Sequence, residues 1–202
     1  MHECGLLIGS YILGAVPFGL IIVRLWRGID IRSYGSGNIG ATNVLRTVGP
    51  APAAVVFAAD IAKGLTPIVV GKQLFPGADW LVVVSGMLAI LGHSVSIFLR
   101  LRGGKGVATG LGVLVGLDWR VACVGFGLWV VVVGLCRYVS MGSMIASACV
   151  PVLMWVLAVP PAYQAFAIAA GVFVIAKHRS NIGRLIQGKE PRWREGAGVR
   201  EG

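Results

Sequence analysis

Charged residues are scarce in this chain, and acidic residues are the scarcest. Only 13% of the 202 residues are charged, with 8 Asp and Glu against 18 Lys and Arg, whereas 56% are hydrophobic. A composition this apolar excludes a soluble globular domain with a single core. Strands of alternating polarity are also absent, which excludes a membrane β-barrel. The sequence therefore predicts an all-α protein that crosses a membrane several times.

The apolar residues occur in blocks of roughly 15 to 20, close to the number that a helix needs to cross a hydrocarbon layer of about 30 Å. These blocks predict seven transmembrane helices, at residues 6–26, 51–71, 80–99, 107–117, 121–135, 141–159 and 162–176. The fourth block is short, and only Asp118, Trp119 and Arg120 separate it from the fifth. The alternative is therefore five transmembrane helices plus a re-entrant hairpin. We expect residues 1–202 to form one domain.

Basic residues concentrate on one side of the predicted membrane. Of the 18 Lys and Arg residues, only Lys72 and Arg120 flank the other side, and Lys63 lies within a block. The basic side holds Arg24, Arg27, Arg32, Arg46, Arg100, Arg102, Lys105, Arg137, Lys177, Arg179, Arg184, Lys189, Arg192, Arg194 and Arg200. Because cytoplasmic loops are enriched in Lys and Arg, we expect the N-terminus outside and the C-terminus in the cytoplasm. The net charge of +10 follows from this topology and from contact with membrane lipid. No nucleic-acid-binding motif accompanies it, so nucleic acid is not an expected partner.

Motifs for metals and cofactors are missing. The cysteines, Cys4, Cys123, Cys136 and Cys149, lack the spacing of metal ligands. We therefore expect no metal site and no cofactor, and nothing implies an obligate protein partner. No convincing internal repeat is present, which disfavours transporter folds built from inverted repeats.

Two Gly-rich segments fall on the basic side. The first, GSGNIGATNVLR at residues 35–46, combines glycines that permit close backbone approaches with donors from Ser36, Asn38, Asn43 and Arg46. A polar turn between two helices does not need so many Gly and amide groups, so the segment predicts an anion-binding loop.

The second Gly-rich segment, RLRGGKGVATG at residues 100–110, opens into an apolar helix. Gly103 and Gly104 are expected to expose backbone N–H groups, Lys105 supplies a positive charge, and the helix N-terminus adds a partial one. This arrangement suits a phosphate. The GxxxxGK[ST] spacing of a nucleotide-binding Walker A loop is absent.

Two further segments on the basic side carry candidate ligands. Ser140 and Ser143, near the start of the sixth block, are either helix caps or ligands. In KHRSNIGRLIQGKE, at residues 177–190, His178, Asn181 and Arg184 recur at intervals of three. They share one face if the segment is helical, and the alternative is a solvated amphipathic tail.

Three ionisable residues lie within the apolar blocks. Asp60 and Lys63 are one helical turn apart, so we expect them to pair, although charges within a membrane are functional candidates by default. His93 lies near the basic end of the third block. We expect a buried, hydrogen-bonded structural histidine there rather than a catalytic base.

The segments together resemble a known family. GSGNIGATNVLR, GHSVSIFLRLRGGKGVAT at residues 92–109 and KHRSNIGRLIQGKE look like the three signature motifs of the bacterial integral-membrane glycerol-3-phosphate acyltransferases that use acyl-phosphate as donor. Their order and spacing agree over nearly the whole chain. The resemblance implies an enzyme of the bacterial inner membrane with its active site on the cytoplasmic side. It would transfer a fatty acyl group from acyl-phosphate to the 1-hydroxyl of glycerol 3-phosphate, giving lysophosphatidic acid and phosphate, in the first step of phospholipid biosynthesis.

The resemblance also implies roles for individual residues. The residues expected to bind the phosphate and glycerol of the acceptor are Ser36, Asn38, Asn43, Arg46 and Lys105, and those expected to hold the acyl-phosphate head are Gly103, Gly104, Ser143, His178 and Asn181. Lys105, His178 and Ser143 are the candidate catalytic residues. Because the HxxxxD dyad of other acyltransferases is absent, we expect a substrate phosphate to accept the hydroxyl proton, with His178 as the alternative base.

Two other classes of protein compete with the enzyme. A transporter or channel for a phosphorylated metabolite would use the same loops as a selectivity site, but no cationic path crosses the apolar blocks. A non-catalytic lipid-binding scaffold would leave the density of Gly, Ser, Asn and Arg on one side unexplained.

Overall fold

The computed structural model describes residues 1–193, and the regular secondary structure of this part of the chain is all helical, with no strand. The α-helices are α1 His2–Ala15, α2 Phe18–Arg27, α3 Ala41–Thr47, α4 Pro50–Leu74, α5 Asp79–Ser94, α6 Val107–Leu117, α7 Trp119–Cys136, α8 Val139–Val156, α9 Pro161–Lys177 and α10 Arg179–Ile186, and short 3-10 turns occupy Ile31–Ser33 and Ile97–Leu99. The predicted all-α class is confirmed. Arg194 and Arg200, which the orientation prediction counted, lie outside the described residues.

Five helical stretches are long and apolar enough to cross a membrane: His2–Arg27, Pro50–Leu74, Asp79–Leu99, Trp119–Cys136 and Val139–Val156. The helices α6 and α9 are apolar but shorter, at 11 and 17 residues. The long stretches include α7, which the alternative with five transmembrane helices assigns to a re-entrant hairpin. This helix begins two residues earlier than predicted because Asp118 Oδ1 accepts hydrogen bonds from the N–H groups of Arg120 and Val121.

The first apolar stretch is not one helix, because Pro17 separates α1 from α2. Because α1 ends before Pro17, the carbonyls of Ala15 and Val16 have no N–H partner four residues further along the chain. Lys63 Nζ donates to Val16 O at 3.0 Å, and Ser96 Oγ donates to Ala15 O at 2.6 Å. Side chains of α4 and of the segment after α5 thus satisfy the backbone groups that the break exposes in apolar surroundings.

Two clusters of buried apolar side chains leave a space between them. The larger fills the end of the bundle away from the basic loops and includes Ile68, Met154 and Phe166. The smaller holds α3 and the Ile31–Ser33 turn against α2 and α4 through side chains such as Val44. The site lies between these clusters.

Candidate active site

A cavity of about 670 Å³ opens where the basic loops converge and extends between α5, α6, α7, α8 and α9. Of the ten site residues predicted from the sequence, those that line it are Ser36, Asn38, Asn43, Arg46, Lys105, Ser143, His178 and Asn181. Gly103 and Gly104 are not part of the lining. Residues distant in sequence therefore meet at one polar mouth. Residues 1–193 contain no group of three His, Cys, Asp or Glu that could hold a metal ion.

The inner end of the cavity is apolar. Leu114, Phe126, Val150 and Phe166 are among its walls. One helical turn further along α6, α8 and α9, Leu117, Met154 and Tyr163 are buried in the larger apolar cluster and close the bundle. The cavity therefore has a cationic entrance and an apolar interior.

Asn43 organises the loop between α2 and α3. Its Oδ1 accepts from Ser36 N–H at 2.9 Å, and its Nδ2 donates to the carbonyls of Tyr34 and Asn38 at 3.0 and 2.8 Å. Gly35 has φ +57°, and a Cβ there would lie 2.3 Å from Asn43 Oδ1. The polar atoms of Asn43 are thus engaged with the loop backbone. The sequence predicted a ligand at this position, and in the structure the Asn43 amide lines the cavity and also holds the loop backbone.

Glu190 is a buried carboxylate that joins three polar side chains of the mouth. Its Oε1 accepts from Ser140 Oγ and Asn181 Nδ2, both at 2.6 Å, and its Oε2 accepts from Arg184 Nε at 2.8 Å. Burial opposes ionisation, but these hydrogen bonds and the Arg184 charge outweigh it and lower the pKa of Glu190. Glu190 is therefore ionised at neutral pH and fixes the start of α8 against α10.

Lys105 lies where the loop before α6 meets α10. Its Nζ donates to Asn181 Oδ1, the amide that Glu190 orients from the other side. Burial lowers the pKa of Lys105 to about 8, against the attraction of Glu190. The ammonium is still mainly protonated at pH 7, so the mouth presents a partly desolvated positive charge suited to a phosphate.

His178 sits between α9 and α10 and is neutral. Its Nδ1 lies 2.8 Å from Val174 O, and since a carbonyl only accepts, Nδ1 carries the proton and Nε2 is an acceptor. Burial, reinforced by the charge of Lys105, lowers the pKa of His178 to about 4. The helix α10 places His178, Asn181 and Arg184 along the cavity, so the predicted shared helical face is confirmed.

The two serines of α8 do not cap that helix. Ser140 donates to Glu190, as described above, and Ser143 Oγ donates to Val139 O at 2.9 Å. Ser143 also accepts from Trp129 Nε1 at 3.2 Å. Both serines line the cavity.

Arg46 holds the segment that follows α10. Its Nη2 donates to the carbonyls of Pro191 and Arg192 at 2.9 and 3.3 Å, and Trp193 N–H donates to Arg137 O at 2.9 Å. The end of the described chain is thereby tied across the mouth. Only the fold brings these positions together.

The Gly103–Gly104 pair packs against α5 instead of facing the cavity. Gly104 N–H donates to His93 O at 3.1 Å, so the sequence-based expectation that this N–H group is exposed does not hold. His93 is 5% exposed and lines the cavity, as does Asp60. Asp60 pairs with Lys63 at 2.8 Å, as predicted.

Sequence reasoning missed Glu190, although one signal was present. It is among only 8 acidic residues and stands within a strongly basic segment. A lone carboxylate among basic residues is expected to form ion pairs with them, which indicates a structural or functional contact. The aromatic walls Phe126 and Trp129 had no signal of their own, because large apolar side chains occur throughout the membrane helices.

Comparison with known proteins agrees with this geometry. The family model described as glycerol-3-phosphate acyltransferase matches residues 4–188. A glycerol-3-phosphate acyltransferase of Synechococcus sp. (strain JA-3-3Ab) is 49% identical over 185 residues, covering 92% of this chain and 90% of the relative. The enzyme of that name from Trichormus variabilis is 45% identical over 206 residues and covers 94% and 91%.

Solved structures are also similar. The crystal structure of PlsY (YgiH), an integral membrane glycerol 3-phosphate acyltransferase, in its glycerol 3-phosphate form superposes with a TM-score of 0.91 at 37% identity, covering 95% of this chain and 96% of that one. Its lysophosphatidic acid form gives 0.90 at 36% identity, with 95% of each chain covered. The family match spans most of the chain and reaches residue 188, within the third signature segment, so this protein belongs to the family of integral-membrane glycerol-3-phosphate acyltransferases.

Proposed function

We propose that this acyltransferase uses acyl-phosphate as its donor and transfers the acyl group to the 1-hydroxyl of glycerol 3-phosphate, giving lysophosphatidic acid and phosphate. The observation that carries the proposal is one cavity with a cationic mouth and an apolar interior. Both substrates carry phosphate, and only the donor carries a long apolar chain. One cavity of this polarity accommodates both, with the phosphates at the mouth and the chain inside.

The residues at the mouth suggest how the substrates divide it. Arg46, Ser36 and Asn38 would hold the acceptor phosphate and glycerol, with Lys105 between the two phosphates. Ser143, His178 and Asn181 would hold the donor head. We assign Asn43 the indirect task of shaping the acceptor loop, because its polar atoms already bind backbone.

The reaction needs alignment and charge neutralisation more than a strong base. The glycerol hydroxyl oxygen attacks the acyl carbonyl carbon, the bond from that carbon to the phosphate oxygen breaks, and its electron pair leaves with the phosphate. The hydroxyl proton passes to a phosphate oxygen. This route fits His178, whose low pKa makes it a weak base but whose Nε2 accepts a hydrogen bond from an incoming hydroxyl.

The proposal includes a topology and a place in metabolism. Seven helical passes, counting α6 and α9, with the N-terminus outside and the C-terminus cytoplasmic, would put the mouth at the cytoplasmic face of the bacterial inner membrane, among lipid headgroups. The strong excess of basic residues at that end supports this orientation. The product would be the precursor of membrane phospholipids, so the enzyme would catalyse the first step of their biosynthesis. The whole chain would act as one domain.

The decisive experiment measures both lysophosphatidic acid formation and phosphate release by purified protein in lipid, given palmitoyl-phosphate with and without glycerol 3-phosphate. Palmitoyl-coenzyme A is the control donor. Release that depends on glycerol 3-phosphate, with lysophosphatidic acid formed, supports the donor assignment. Turnover with the thioester and silence with acyl-phosphate would refute it.

A further inference from the structure

Asp60, Lys63 and His93 form a buried ionisable cluster beside the cavity. Lys63 Nζ lies 2.8 Å from Asp60 Oδ1, and His93 Nδ1 lies 3.6 Å from the same oxygen. None of the three side chains is more than 5% exposed. Because burying ionisable groups within a membrane costs free energy, we expect such a cluster to have a function.

The break between α1 and α2 accounts for only part of the cluster. Lys63 satisfies the Val16 carbonyl above Pro17, and Asp60 neutralises the Lys63 ammonium. Neither contact requires a histidine facing the same carboxylate. Asp60 and His93 line the cavity, whereas Lys63 does not.

The other side of His93 faces the loop that carries Lys105. His93 O accepts from Gly104 N–H, and the imidazole lies so close to Gly104 that a Cβ there would fall 2.0 Å from Nε2. A Cβ on Gly103 would fall 2.2 Å from His93 O. Both glycines therefore pack directly against His93, and the residue that follows them is Lys105. His93 therefore contacts the backbone immediately before Lys105.

We propose that Asp60 and His93 are positioning residues for acyl transfer. Asp60 orients the imidazole from the α4 side, the imidazole supports Gly104 from the α5 side, and the loop then delivers the Lys105 ammonium to the phosphate site. This inference rests on the proposed function, since the task of the loop is to bind glycerol 3-phosphate. A misplacement on the order of 1 Å lowers the rate of an enzyme by about 10²-fold.

The two glycines provide a matched test, because their obstacles differ. The atoms nearest to a Cβ on Gly104 belong to the His93 ring, whereas those nearest to a Cβ on Gly103 belong to backbone. We expect Gly104→Ala and His93→Ala each to raise KM for glycerol 3-phosphate by about tenfold or more. In the double variant His93→Ala/Gly104→Ala the alanine has space, so KM should be no higher than for His93→Ala alone. In His93→Ala/Gly103→Ala the two effects should multiply.

Controls separate positioning from stability. Ser85→Ala removes a buried hydroxyl on the same helix that bonds only to Val82 O among the described residues, and it should leave KM unchanged. His93→Ser leaves the same space for a Cβ and is the second variant if the alanine variant folds poorly. Asp60→Asn made together with Lys63→Met leaves no buried charge unpaired and should also raise KM.

The outcomes distinguish the two proposals. Relief of Gly104→Ala but not of Gly103→Ala by the change at His93 supports the inference. Losses that multiply in both double variants, or an unchanged KM in His93→Ala and the Asp60 variant with only a lower melting temperature, would overturn it while the proposed function stands. A wild-type protein that is inactive with every donor would overturn both.

Discussion

Phe166 is predicted to set the length of the acyl chain that the enzyme prefers. The cavity follows α9 from His178 to Phe166, a distance on the order of 18 Å at ~1.5 Å per residue. Beyond Phe166 the bundle is closed by buried side chains such as Met154 and Tyr163. Replacing Phe166 by Ala removes the ring at the end of this path, so longer chains should be accepted.

The expected magnitude follows from the apolar surface that the added space can bury. Each buried methylene contributes about 0.8 kcal/mol, so stearoyl-phosphate should gain up to about 1.6 kcal/mol over palmitoyl-phosphate in the enlarged cavity. At about 1.4 kcal/mol per factor of ten, the stearoyl to palmitoyl ratio of kcat/KM should rise by up to about 15-fold. Ala170→Leu should act in the opposite direction, because it narrows the same wall nearer the mouth.

The assay compares kcat/KM for acyl-phosphates from lauroyl to arachidoyl with purified protein in lipid. Phe166→Leu is the milder variant, since Phe→Ala in a packed core costs about 3–5 kcal/mol of stability. Ile168→Ala is the control, because Ile168 is 57% exposed on the same helix and does not line the cavity. A chain-length profile that is unchanged in active Phe166 and Ala170 variants would show that Phe166 does not limit the acyl chain.

Three further predictions concern the polar mouth. Lys105→Ala or Arg46→Ala should lower kcat about 100-fold or more, since each removes a charge-assisted donor to a phosphate. Both variants should still insert into the membrane normally. Near-normal turnover in detergent would contradict the site assignment. Because Lys105 is cationic below its pKa of about 8, wild-type kcat/KM should fall as pH rises through that value. Lys105→Arg should move this fall to higher pH. Identical pH profiles for the wild type and the variant would exclude Lys105 as the titrating group. Glu190→Gln should destabilise the protein by about 2 kcal/mol and raise KM, because Arg184 loses its counter-charge and the amide leaves only one oxygen to accept from Ser140, Asn181 and Arg184. Thermal unfolding in detergent together with kinetics would test this. An unchanged melting temperature would count against a scaffolding role for Glu190.

The apolar helices could be predicted from the sequence because length and hydropathy are local properties. Five of the seven predicted blocks correspond to single helices, with ends shifted by up to three residues. The exceptions are the first block, where Pro17 divides α1 from α2, and the third, where α5 ends at Ser94 before the separate Ile97–Leu99 turn. The helix α3 was also missed, since Gly and Asn residues at 35–43 indicated only a loop. Its stability comes from packing on the smaller apolar cluster.

Most of the candidate site was also predictable, for a different reason. Gly-rich and cationic segments on one side of a membrane have few tasks other than binding anions, and eight of the ten predicted residues line one cavity. The residue roles within it were less predictable. Asn43 lies in a segment whose composition is typical of an anion-binding loop. Its contacts with loop carbonyls depend on a fold that brings Tyr34 and Asn38 around it.

From its amino-acid sequence alone, this protein could be recognised as a helical membrane protein with Gly-rich, cationic segments on one side, because hydropathy, helix length and loop composition are properties of short stretches of chain. How those segments come together depends on the tertiary structure. Glu190 orients Asn181 toward Lys105, His93 supports Gly104 from another helix, and Phe166 ends the apolar path. These contacts join positions far apart in the chain, and close packing of helices is what brings them within hydrogen-bond or van der Waals distance.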